Sequence, residues 1–158
     1  PSFAAYFHSN GYYKEERDAL LVMREFLGQG GVIWFLKMIE NLLQDGKLEL
    51  AKINWTRMAK KFPDVFATHL AEGMLFNKED KWEKALISFK RASEKNPKSF
   101  RPFLESAKTR IKLGKLADAQ QSLTKAKSRV KSLVELKKVE NKILDLRSLQ
   151  VRIKIEKY

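Results

Sequence analysis

The sequence lacks cysteine and is poor in the residues that interrupt regular structure, with only 7 glycines and 4 prolines among 158 residues. Without cysteine the chain has no disulfide, no thiolate zinc ligand and no cysteine nucleophile. The few glycines and prolines exclude a fold built on many tight turns, so helices are favoured. Apolar runs such as Val32–Leu36 fall far short of the roughly 20 residues that cross a bilayer. We therefore expect an all-α protein without a membrane span and take the cytoplasm as its default location.

Hydrophobic residues make up 44% of the chain and charged residues 32%, which fits one globular domain with a packed core. Lys and Arg number 32 and Asp and Glu 19, so the net charge is +13. Residues 100–133 alone hold 9 basic and 2 acidic side chains. A positive field of this size attracts acidic partners. Because the chain begins at Pro1 and ends in a charged stretch, the sequence leaves open whether it is a piece of a longer protein.

Several features of the sequence recur every 34 residues, beginning with Pro63 and Pro97. Apolar residues recur in the same register, in the sets Leu48, Trp82, Leu116; Ala51, Ala85, Ala119; Trp55, Phe89, Leu123; and Met58, Ala92, Ala126. A turn is predicted at the same place in each repeat, at Gly46, Asp80 and Gly114. Apolar residues have helical spacing on both sides of this turn, so each repeat is predicted to be a helical hairpin.

This pattern resembles the tetratricopeptide repeat (TPR) family, whose unit is a pair of antiparallel helices. The middle repeat carries the clearest match, with the family's small and aromatic residues and its closing proline at Gly73, Phe76, Ala85, Phe89 and Pro97. The resemblance implies an all-α, right-handed solenoid in which Gly73 and Ala85 let two helices approach closely.

The other two repeats depart from the family pattern, the first at one position and the third at two. The first has Ile39 where a small residue is expected. The third keeps Phe103, Ala107 and Ala119, but it has Arg110 in place of the aromatic residue and Lys131 in place of the proline. These departures weaken the pattern near its end without removing it.

We expect a single TPR-like domain over residues 1–158, with three repeats at 32–65, 66–99 and 100–133. Residues 1–31 are predicted to form a degenerate fourth hairpin, in which Phe3–Phe7 precede a turn at Asn10–Gly11 and Glu16 stands where the family has a small residue. An unrelated helical hairpin is the alternative. Gly28–Gly31 is interpreted as a linker, because no phosphate-binding motif surrounds it.

Residues 134–158 are predicted to form a C-terminal helix and tail that cover the last repeat. Ser132 and Glu135 have the spacing of a capping box, which starts a helix near Leu133. Its apolar stripe is Leu136, Val139, Ile143 and Leu146. The same spacing is compatible with a short coiled coil, and hence with a homodimer through 134–158. Residues 151–157 alternate apolar and basic side chains, so helix, strand and tail all stay open for them.

No set of residues in the sequence indicates catalysis. His8 and His69 are the only histidines, and neither stands in a cluster of carboxylates that could complete a metal site. A nucleophile, a base and an orienting group cannot be assembled from the pattern. We therefore expect no enzymatic activity, no cofactor and no metal.

The resemblance implies that the first helices of successive repeats line a concave groove that holds a peptide or a helix. The candidate partner-binding residues at those places are Ile33, Leu36, Glu40, Leu70, Met74, Lys78, Arg101, Leu104, Lys108 and Lys112. Helical spacing independently puts the three cations Arg101, Lys108 and Lys112 on one face. The plainer interpretation is that Lys108 and Lys112 are solvated surface residues. The predicted function is a non-enzymatic interaction module or scaffold that binds an acidic or amphipathic segment of a partner protein.

Two alternatives come from other classes of protein. A basic helical repeat also suits nucleic acid, but residues 104–157 contain no aromatic side chain on which bases could stack. The third hypothesis is a self-associating scaffold that uses the C-terminal helix. A receptor for a chaperone's C-terminal carboxylate is disfavoured, because only Arg101 suits the positions where such family members carry their clamp.

Overall fold

The structure, a computed structural model, describes residues 13–27 and 31–157, and within these ranges it consists of eight α-helices without a strand. The helices are α1 Tyr13–Leu27, α2 Val32–Gln44, α3 Leu48–Lys61, α4 Phe66–Lys78, α5 Trp82–Lys95, α6 Arg101–Lys112, α7 Leu116–Lys127 and α8 Leu133–Glu156. The all-α prediction is confirmed. Phe3–Phe7, Asn10–Gly11, His8 and Gly28–Gly30 lie outside the described residues.

The chain divides into two compact units, one up to Asp80 and one from Lys81 onward. In the first unit α2 packs against α1, α3 and α4, and α3 also packs against α4. In the second unit α6 lies between α5 and α7, and α7 packs against α8. The division falls at the turn inside the second predicted repeat. The single-domain organisation stays a prediction.

The predicted turns adopt the backbone conformation that the repeat register requires. Gly46, Asp80 and Gly114 have φ angles of 73°, 57° and 72°, in the left-handed region. Glycine enters this region without a steric penalty, which accounts for its presence at two of the three turns. Among the described residues, Asp80 is the only non-glycine with a positive φ.

Residues at two of the matched repeat positions are buried to the same extent. Ala51, Ala85 and Ala119 are fully buried, and so are Met58, Ala92 and Ala126. This agreement supports the 34-residue register at these two positions. The predicted close approach of Gly73 and Ala85 stays a prediction, although each of the two residues is itself buried.

A buried polar cluster explains how α1 carries glutamate where the repeat pattern expects a small residue. The side-chain amide of Asn41 on α2 donates to Glu16 Oε2 and to the Tyr13 carbonyl, both at 2.7 Å. Arg17 donates to Asn41 Oδ1 at 3.1 Å and pairs with Asp45 at 3.0 Å. Hydrogen bonds from Lys47 and from Arg17 hold the pKa of Asp45 below its usual value. Polar pairing therefore joins α1 to α2 where close packing was expected.

The C-terminal helix begins at the predicted cap and is longer than the helices it follows. Ser132 Oγ accepts a hydrogen bond from the Glu135 backbone N–H at 3.2 Å, so α8 starts at Leu133. The helix continues to Glu156, which settles the open question about residues 151–156. Val139 and Leu146 are fully buried against α6 and α7, in a cluster with Phe100, Leu104, Ala107, Ala119, Leu123 and Ala126.

Candidate partner-binding surface

A row of charged side chains follows one face of α6. Arg101, Glu105, Lys108 and Lys112 are separated by four, three and four residues, which places them on the same side of the helix. We call these four residues the α6 charged face. Lys108 Nζ lies 2.8 Å from Glu105 Oε1. Burial lowers the pKa of the Arg101 guanidinium, and the nearby charge of Glu105 opposes that shift. The three predicted cations therefore share a face, with a carboxylate among them.

Glu105 is the member of this face that the sequence analysis did not include. It lies four residues after Arg101 and three before Lys108, a spacing at which side chains of opposite charge meet on a helix. This spacing alone could have identified Glu105 as a member of the face from the sequence. The carboxylate is largely buried, with 15% of its side chain exposed, so it offsets part of the positive charge at the centre of the row.

Three predicted binding residues are placed differently from the expectation. Leu36, Leu70 and Leu104 are only 4%, 0% and 5% exposed, so their side chains belong to the core and are not offered to a partner. All three occupy the same position of the 34-residue repeat. The reason is packing: Leu104 has the helical spacing of the charged face, three residues after Arg101 and four before Lys108, but it lies in the cluster of buried residues with Ala107 and Leu123. The exposure expected for these three leucines was wrong.

The remaining candidates in the first unit stay accessible. Ile33 on α2 is 61% exposed, and Glu40 is partly exposed on the same helix. On α4, which packs against α2, Met74 is partly exposed and Lys78 is exposed. The accessible candidate residues of this unit are therefore mixed, with apolar, acidic and basic side chains.

The excess of positive charge lies entirely in the second unit. Residues 1–80 contain 10 Lys and Arg against 11 Asp and Glu, a net charge of −1. Residues 81–158 contain 22 against 8, a net charge of +14. The boundary between the units is thus also a boundary in charge, and the field that attracts acidic groups originates from α5 to α8 and their connections.

The C-terminal helix carries a second apolar row on the side away from the core. Leu144, Val151 and Ile155 are 59%, 55% and 68% exposed, and their spacing of seven and four residues puts them on one face. The predicted self-association relied on the other stripe, Leu136, Val139, Ile143 and Leu146, of which Val139 and Leu146 are buried within this chain. The homodimer stays a prediction.

In the described ranges, no group of three or more His, Asp and Glu side chains could hold a metal ion. His69 Nε2 lies 2.8 Å from Asp64 Oδ1, so this ring nitrogen has a carboxylate partner. No helix in the described part of the chain is both long and apolar enough to pass through a bilayer.

No protein-family model and no sequence among the curated proteins matches the chain, whereas solved structures match it over most of its length. YrrB, described as a TPR protein with an unusual peptide-binding site, aligns with a TM-score of 0.58 at 17% identity over 87% of this chain and 71% of its own. The Yersinia enterocolitica type III secretion translocator chaperone SycD aligns with a TM-score of 0.61 at 20% identity over 83% and 97%.

MamA aligns over 100% of this chain and 99% of its own, with a TM-score of 0.55 at 13% identity. SycD has also been solved in complex with a peptide of the translocator YopD. At these identities the likeness establishes the fold alone. The chain therefore has a TPR-like helical-repeat fold, as the 34-residue register predicts.

Proposed function

We propose that this chain is a non-enzymatic protein-interaction module whose second unit binds an acidic or amphipathic segment of a partner protein. The observation that carries the proposal is the net charge of +14 in residues 81–158, together with the accessible Lys108 and Lys112 on the α6 charged face. Exposed cations in such a field speed the encounter with an acidic partner and select its register.

The mixed character of the α6 charged face favours a protein over a nucleic acid. Glu105 lies between Arg101 and Lys108, where its charge repels a phosphate backbone passing along the row. A peptide carries acidic side chains only at some of its positions, so it can place an uncharged residue beside Glu105 and acidic residues beside the two cations. The peptide-binding descriptions of YrrB and SycD support the same class of partner.

The first unit has an accessible apolar surface of its own, which we propose contacts an apolar segment of a partner protein. Ile33 and Met74 present apolar surface on α2 and α4, and Glu40 and Lys78 flank it with one charge of each sign. Apolar side chains of this kind gain stability when a partner removes them from water. An apolar segment of a partner protein suits this surface of the first unit.

The test is capture of partners by the full chain from a nuclease-treated extract, followed by mass spectrometry and by affinity measurement at two salt concentrations. The variant pair Lys108→Glu/Lys112→Glu is expected to weaken binding of the captured protein by about tenfold or more. The pair Lys137→Glu/Arg147→Glu makes the same change of charge at exposed positions of α8 and is the matched control.

Equal affinity of the α6 pair and the wild type would refute the assignment to the α6 charged face. Loss of all captured proteins after nuclease treatment would instead favour the nucleic-acid alternative. Binding should weaken as salt rises, because exposed charges are screened over about 8 Å at physiological ionic strength.

A further inference from the structure

We infer that the second unit has a separate binding surface on the other side of α6, a cavity that takes an acidic peptide segment with one apolar anchor. The cavity has a volume of about 410 Å³ and lies between α5, α6 and α7. This volume is within the range of about 300–1,000 Å³ that is typical of ligand pockets. We call it the α5–α7 cavity, and it goes beyond the function proposed for the α6 charged face.

The two surfaces use opposite sides of the same helix. The α6 residues that line the cavity are Pro102, Phe103, Ser106 and Arg110. Their spacing of one, three and four residues puts them together on a side turned well away from Lys108 and Lys112. A partner in the cavity therefore does not need to touch the α6 charged face, so the two sites can be tested separately.

The chemistry of the cavity combines an apolar floor with a ring of cations. Each of the three helices contributes one cation, Lys90 from α5, Arg110 from α6 and Lys125 from α7, and no Asp or Glu lines the cavity. Phe103 and Ile87 supply apolar surface, and Ile87 is 54% exposed. An apolar side chain with carboxylates on either side of it complements this arrangement.

Hydrogen bonds hold two arginines at this surface in place. Arg110 Nη1 donates to the hydroxyl of Ser122 on α7, which fixes its guanidinium beside the cavity. The Arg129 guanidinium lies 4.2 Å from the centre of the ring of Phe103, which lines the cavity, and donates to the Pro97 carbonyl at 2.7 Å. Because these side chains are already ordered, less entropy is lost when an acidic group binds.

One departure of the third repeat from the family pattern coincides with this surface. Arg110 stands where the middle repeat has Phe76, and it lines the cavity. The change replaces an apolar residue by a cation. Packing of a repeat does not require a cation there, whereas recognition of an acidic segment uses one.

The experiment uses the full chain and a capped peptide in which one phenylalanine is flanked by glutamates. Its affinity is measured by fluorescence anisotropy, and its position is mapped by amide chemical shifts. Two control peptides replace the glutamates by glutamine or the phenylalanine by serine. We expect the parent peptide to change the amide chemical shifts of residues around Phe103 and Arg110. Each control peptide is expected to bind at least about tenfold more weakly than the parent peptide.

Three variant pairs with the same change of charge separate this site from its alternatives. Lys90→Glu/Lys125→Glu, at exposed positions of the cavity wall, is expected to weaken peptide binding by about tenfold or more. Lys108→Glu/Lys112→Glu and the α8 pair Lys137→Glu/Arg147→Glu should each change its affinity by less than about threefold, which is the effect of net charge alone. Circular dichroism confirms that each variant is folded.

An equal loss of peptide affinity in all three variant pairs would show that the peptide responds to the net charge of the unit and not to the cavity. This result would overturn the inference. A loss confined to Lys108→Glu/Lys112→Glu would also overturn it, while leaving the proposed function intact. Absence of peptide binding, or retention of full affinity by the serine peptide, would likewise refute it. If a single-stranded oligonucleotide of equal charge bound the same amides more tightly than the peptide, the cavity would be a nucleic-acid site instead.

Discussion

Leu144 and Leu146 offer a direct measurement of what α8 contributes to the second unit. The two leucines lie two residues apart on the same helix, but Leu146 is fully buried and Leu144 is 59% exposed. Leu146 packs in the cluster that includes Ala107, Ala119 and Leu123. Replacing each leucine by alanine removes the same atoms from the same helix, so the difference between the variants isolates burial.

The expected cost of Leu146→Ala is about 2–5 kcal/mol, because a buried leucine loses its transfer free energy and leaves a cavity behind it. Leu144→Ala is expected to stay within about 0.5 kcal/mol of the wild type, since its side chain is mostly in water in the folded state. Alanine is also the better helix former by a small margin, and this term is equal in both variants.

Urea unfolding followed by circular dichroism at 222 nm measures both variants against the wild type. We expect a clear fall in the midpoint for Leu146→Ala and almost no change for Leu144→Ala, with similar slopes. Equal midpoints for the two variants would show that α8 does not cover the third repeat and would refute the packing described for it. A larger fall for Leu144→Ala, together with a concentration-dependent midpoint, would indicate self-association through its row.

Three further predictions concern the repeat register and the N-terminal cluster. Ala119→Arg forces a long cation into the fully buried contact of α7 with α6 and should cost about 3 kcal/mol or more in urea unfolding, whereas exposed Gln121→Arg should cost little. Gly114→Ala should cost about 1 kcal/mol through its φ of 72° alone, because a Cβ there would meet no atom within 4 Å, and an unchanged midpoint would contradict that turn. Asn41→Leu removes the amide that donates to buried Glu16 and should cost about 2 kcal/mol or more; a loss no larger than that of Glu16→Gln would count against the cluster.

Much of the fold could be predicted because it depends on local rules. The 3.6-residue period identifies helices, a left-handed turn favours glycine at Gly46 and Gly114, and Ser132 with Glu135 marks the start of α8. The 34-residue register then follows from counting, and the uniform burial of Ala51, Ala85 and Ala119 agrees with it.

The candidate site could be predicted only in part, because exposure depends on what packs around a helix. A first helix such as α6 has neighbours on several sides, so its apolar and polar residues do not divide into one buried and one solvated face. The sequence therefore placed Leu104 among the partner-binding residues, although it is buried, and did not include Glu105.

The sequence by itself determined the helices, their turns and caps, and the 34-residue repeat, since each of these depends on residues close together in the chain. Only the tertiary structure decided which face of α6 is accessible, how Glu16 is accommodated by Asn41, and that the whole positive excess belongs to the unit beginning at Lys81. Only in the tertiary structure do Lys90, Arg110 and Lys125 lie around one cavity. These cations are far apart in sequence, and their proximity results from the packing of three helices, which no local pattern encodes.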